Sequence, residues 1–144
     1  MNMISVVIIG FIVLEATNVV ALYFFPGTKY ANSVGTFKAW EKSKQDPEMH
    51  DFVKYLVNWV AGTKLIFLLL LVVILFTADA QGLFYTGVAL VISISSFFWR
   101  LFPLIRKMDQ DDQIDPKNYS AILGLMISVF VMVFLAALLV SGAG

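Results

Sequence analysis

The stretch Phe11-Ile12-Val13-Leu14-Glu15-Ala16-Thr17-Asn18 decides how the rest of the chain is read. It lies inside an apolar run, residues 4–25, that ends at Pro26-Gly27. A helix rises about 1.5 Å per residue, so roughly 20 residues cross the hydrocarbon core of a bilayer. Glu15 therefore falls well inside a span. A charge at the centre of such a span costs about 2.5–3.5 kcal/mol on insertion scales. A partner must offset that cost, and the sequence offers one in Lys64, inside the next apolar run.

Composition supports the membrane reading. Hydrophobic residues make up 60% of the 144 and charged residues 14%, against about 45–50% and about 25% in soluble domains. The excess falls into four blocks, predicting helices over about 4–25, 52–77, 82–103 and 119–140. An open sheet would leave backbone polar groups unpaired in lipid. The expected fold is an all-α membrane protein, a single domain over 1–144, with four transmembrane helices in an antiparallel bundle. The first run lacks a basic flank and continues into Tyr23-Phe24-Phe25, so it reads as a retained helix and not as a cleaved leader.

Charge sets the expected orientation. Of the ten Lys and Arg residues, all but Lys64 fall in or beside the first and third loops. Basic loops stay cytoplasmic, which places both termini outside. All three Trp and four of the five Tyr lie toward the same side, as interfacial anchors do. Trp59, Trp99 and Arg100 are expected at that interface, with Arg100 snorkelling to the headgroups. In the first loop Val34, Phe37 and Trp40 recur every third residue among charged neighbours, predicting a short amphipathic helix on the membrane surface. Asp46-Pro47-Glu48 is an N-cap, a first-turn proline and an acidic first turn, so the second helix should begin before the bilayer.

Two small-residue series suggest close helix packing: Gly82, Thr86, Ala89, Ser93 and Ser96 on the third span, and Ser120, Gly124 and Ser128 on the fourth. A face for self-association is the alternative. In the third loop Asp109, Asp111, Gln113 and Asp115 alternate like calcium ligands, but Ile114 and Ser120 stand where an EF-hand needs Gly and Glu. No metal site is expected there. The loop reads as a solvated acidic turn, with Asp115-Pro116 capping the fourth helix.

Depth brings the polar residues together. Glu15 lies ten residues before Phe25 and Lys64 ten after Lys54, the basic-side ends of their spans, each about 15 Å deep. Asn18 is one turn from Glu15 on the same face, and Asn58 lies near that level on the second span. The expected polar site is Glu15, Asn18, Asn58 and Lys64, although Asn58 and Lys64 point about 120° apart. The pair is either a staple fixing helix register or a functional site that lines an ion or proton path or binds a polar headgroup.

No motif for nucleotide, zinc or acyl-transfer chemistry is present, and the chain has no cysteine and one histidine, His50. No catalytic residue, cofactor or nucleic-acid partner is expected. The layout resembles the membrane-bound glutathione-transferase and eicosanoid-synthase family in topology only, since 52–77 contains no arginine. A central Glu in the first of four spans is similar to small multidrug exporters, but here a Lys opposes it. The leading expectation is an oligomeric transporter or channel in a prokaryotic cytoplasmic membrane. The alternatives are a scaffold subunit of a membrane complex, or an intramembrane enzyme acting on a lipid near Asn58, Trp59 and Trp99.

Overall fold

The computed structural model describes residues 2–142. The described chain is helical: α1 (Met3–Phe24), α2 (Lys38–Ser43), α3 (Pro47–Thr77), α4 (Ala80–Ser95), α5 (Phe97–Gln110) and α6 (Tyr119–Gly142), with a 3₁₀ turn at Val34–Thr36. Short polar side chains start α1, α3 and α4. The Asn2 side chain accepts from the Ser5 amide, and the Asp79 side chain accepts from the Gly82 amide. Asp46 accepts from the amides of Glu48 and Met49 at 3.1 and 3.2 Å, with Pro47 at the first helical position, as its sequence predicts. α4 and α5 meet at Ser96, whose backbone stays helical. They form one rod over Ala80–Gln110, longer than the expected 82–103. Four helices are thus long and apolar enough to cross a membrane.

The bundle is organised around α1, which packs against α3, α6 and α4. The buried residues of α1 include Ile4, Ile8, Phe11, Asn18 and Leu22, and those of α3 are Val57, Ala61, Leu68 and Leu71. Steps of three and four continue through Glu15 on α1 and Lys64 on α3, so both charges occupy seam positions that the spacing reserves for apolar side chains. Below them Leu22, Val57 and Ala61 form one buried cluster. Above them Ile8, Phe11 and Leu71 join the main core with Phe134, which is fully buried. Phe11 meets Phe130 and Phe134 edge-on, each at 5.8 Å between centroids, a favourable aromatic geometry.

The expected packing series are only partly buried. Gly82 and Thr86 are half-buried, whereas Ala89, Ser93 and Ser96 are exposed. α4 instead turns Leu83, Gly87 and Leu90 inward. A Cβ on Gly87 would lie 2.7 Å from Ile4 Cδ1 and 3.0 Å from Leu138 Cδ2, so this glycine permits the close approach. On α6 Ser120 and Gly124 are buried, Gly124 against the Phe102 ring, but Ser128 is exposed. Small residues at steps of four mark a face without saying which neighbour, if any, covers it.

The single amphipathic helix expected over 34–40 does not form. Val34 lies in the 3₁₀ turn, Phe37 is extended, and Trp40 belongs to α2 and is buried. Phe37 forms a lone antiparallel bridge with Ile114. The Lys38 amide donates to the Gln113 carbonyl, and the Asp115 amide donates to the Thr36 carbonyl, both at 2.9 Å. Long-range pairing with the third loop thus wins over local helical periodicity. Trp59, Trp99 and Arg100 are exposed, with Arg100 5.9 Å from the Trp99 ring centre.

The third loop is not simply a solvated turn. Asp109 caps α6, accepting from the Asn118 amide and from the amide and hydroxyl of Ser120. That is the role expected of Asp115, which instead pairs with Lys29. Asp112 pairs with Lys38 at 2.7 Å. No group of metal-ligating side chains occurs among the described residues.

These two ion pairs make the clasp between the loops pH-dependent. The hydrogen bond from Lys38, then its charge, holds the Asp112 carboxyl below its ordinary value, and Lys29 acts likewise on Asp115. A carboxylate depressed by folding contributes stability above its unfolded pKa, which is lost as pH falls through the folded value. The clasp should therefore be intact above about pH 4 and loosen below it. Amide hydrogen exchange in 26–37 and 111–118, corrected for intrinsic rate, should rise on acidification from pH 6 to 3. Unchanged protection would mean that the backbone bonds alone hold the loops.

Candidate functional site

Glu15 and Lys64 meet at the α1–α3 seam. Lys64 Nζ donates to Glu15 Oε2 and to Asn18 Oδ1, each at 2.6 Å. The levels match because Glu15 lies twelve residues from Met3 and Lys64 thirteen from Thr77, about 18 and 20 Å along the two axes. Apolar clusters bound the pair on both sides. It is not sealed: the Lys64 and Glu15 side chains are 31% and 26% exposed. Asn18, at 6%, is the buried member.

Asn18 links the pair to the first loop. Its Nδ2 donates to the carbonyls of Ala31 and Asn32 at 2.6 and 3.0 Å. Both residues have left-handed backbones, φ 53° and 54°, a conformation that Asn tolerates better than Ala. Asn32 Oδ1 in turn accepts from the Tyr119 hydroxyl at the start of α6. A continuous polar chain thus runs from Lys64 through Asn18 and Asn32 to Tyr119, joining α3, α1, the first loop and α6. The loop lies back along α1 toward Asn18, six residues before the helix ends.

Three of the four expected site residues converge. Asn58 does not: it is exposed and lines a separate cavity with Lys54 and Trp40. Six residues along a helix separate it from Lys64 by about 9 Å as well as by angle. Thr17 and Thr63 turn back to carbonyls of their own helices. Asn32 and Tyr119 escape sequence reasoning, because the contact spans 87 positions. The one available signal was the turn-prone Asn32 after the Pro26-Gly27 break.

The arrangement can hold one positive and one negative charge together at partial exposure, beside an amide that both donates and accepts. Its chemistry is that of ion pairing. The four long apolar helices are compatible with a small integral membrane protein, and the Glu15–Lys64 pair joins two of them. Comparison with protein-family models, curated proteins and solved structures found no match.

Proposed function

We propose that this chain is a small oligomeric transporter, passing protons or small ions through the Glu15–Lys64 site. One observation carries this reading: the pair stands at the bundle surface, a quarter to a third exposed, and is not shut inside the core. A pair that exchanges protons or ions needs a route to them. Intramembrane ionisable residues mark such routes by default.

The helix arrangement supports the oligomer. The four-helix core is filled by Phe11, Phe134 and their neighbours, leaving a path only along an outer face. α3 leaves Ile66, Leu69, Leu70, Val73 and Phe76 exposed beyond the pair, a face that a second copy could cover. The orientation in this reading follows the basic residues. The end with the 26–37 and 111–118 segments faces the cytoplasm, and both termini lie outside a prokaryotic cytoplasmic membrane.

A flux assay tests the proposal. Protein reconstituted into liposomes carrying an internal pH dye should dissipate an imposed proton or cation gradient. Glu15→Gln should reduce that flux at least tenfold. Absence of flux under every gradient, or a Glu15→Gln variant equal to wild type, would contradict it and favour an accessory subunit.

A further inference from the structure

A second cavity opens between α1 and α3, about six residues along α3 from the ion pair. Its volume is about 190 Å³. Leu22, Pro26 and Val57 form its apolar wall, and Tyr23, Trp40, Lys54 and Asn58 its polar side. No carboxylate lines it. Lys54 brings an ammonium, Asn58 an amide and Tyr23 a hydroxyl, so donors outnumber acceptors.

Trp40 stands at the cavity as a fixed, buried residue. Trp40 is 5% exposed, and its Nε1 is buried without a hydrogen-bond partner, a state that native structures rarely leave unexplained. The ring is held in place. The Ser43 hydroxyl donates to the Trp40 carbonyl at 2.7 Å and lies 2.8 Å from His50 Nδ1. The His50 ring packs 4.8 Å from the indole. Gly27 lies against the indole nitrogen, where a Cβ would come within 3.0 Å of it. Lys54 is held only loosely, 3.7 Å from Asp51 on an exposed surface, and is free to turn toward a ligand.

We propose that this cavity binds the anionic oxygen headgroup, phosphate or carboxylate, of an acyl-chain amphiphile. The Lys54 ammonium and the Asn58 amide hold the oxyanion beside the Trp40 ring. Leu22 and Val57 meet the first carbons of the chain. The rest of the chain lies along the exposed face of α3, where Tyr55 and Trp59 stand 6.2 Å apart. A cavity with an apolar wall, opening between two membrane-length helices, favours a lipid headgroup over a free anion. This site is independent of the transport reading.

The test uses Trp40 as its own reporter. Trp59→Phe with Trp99→Phe leaves it the sole tryptophan. In neutral detergent, dioleoyl phosphatidic acid should change its emission saturably, whereas dioleoylglycerol should not. Lys54→Met should weaken the response at least tenfold, and Asn58→Leu several-fold. Native mass spectrometry of the unsubstituted protein should show retained phosphatidic acid that Lys54→Met loses, whether or not the reporter variant folds. Equal responses to both lipids, or binding that neither substitution weakens, would overturn the proposal. Saturation by inorganic phosphate at the same affinity would overturn the lipid source and assign the cavity to a free anion.

Discussion

Glu15→Gln and Lys64→Met are each expected to destabilise the protein by about 3 kcal/mol, while the double variant loses about 1 kcal/mol. Either single change leaves one charge at the α1–α3 seam without its partner at 2.6 Å. The neighbouring clusters, Leu22 with Val57 and Ile8 with Leu71, cannot solvate it. Removing both charges restores neutrality and leaves mainly the Asn18 carbonyl oxygen short of a donor, a loss of about 1 kcal/mol. A double-mutant cycle followed by unfolding in mixed micelles reads the coupling directly. Additivity within about 0.5 kcal/mol would show that the two side chains do not act as a pair.

Gly35→Ala should be the most disruptive small substitution in the loops, costing about 3 kcal/mol through overpacking. The new Cβ would collide with the carbonyl of Gly27 and lie 2.6 Å from the Thr28 carbonyl oxygen. These are backbone atoms, so no rotamer change relieves the contact. The Gly35 amide also donates to the Pro26 carbonyl at 2.8 Å, holding the two strands of the loop together. Displacing it would draw the Ala31 and Asn32 carbonyls away from Asn18. Hydrogen exchange should rise across 26–37 and at the start of α6. Gly10→Ala is the control: nothing lies within 4 Å of its added Cβ, and better helix propensity should make it neutral or slightly stabilising. Equal behaviour of the two variants would show that the loop is not seated against Gly27.

Much of the architecture follows from properties that are local along the chain. Apolar length identifies the spans, and Asp46-Pro47 marks the start of α3 because a capping side chain acts within three residues. The depth match of Glu15 and Lys64 needs only a constant helical rise. Their place in the seam also follows from local spacing, because Ile4, Ile8, Phe11, Glu15, Asn18 and Leu22 share one stripe.

What depends on distant neighbours could not be read in the same way. Gly87 is the close-packing glycine of α4 because Ile4 and Leu138 arrive there, and neither is near it in sequence. The series through Ser93 and Ser96 has equally good spacing but faces outward. Phe37 abandons helical geometry for Ile114, and Asp109 displaces Asp115 as the cap of α6, for the same reason. Asn58 stays apart from the pair because six helical positions separate it from Lys64 in height as well as in angle.

The most direct test separates pairing from polarity. In the exchanged variant Glu15→Lys with Lys64→Glu, opposite charges still meet across the α1–α3 seam, so stability should stay within about 1 kcal/mol of wild type. The carboxylate, however, moves from α1 to α3 and the ammonium takes its place beside Asn18. If the site conducts protons or ions through Glu15, the exchanged protein should fold, reconstitute and lose its flux. Flux equal to wild type in that variant would contradict the account and make the pair a staple.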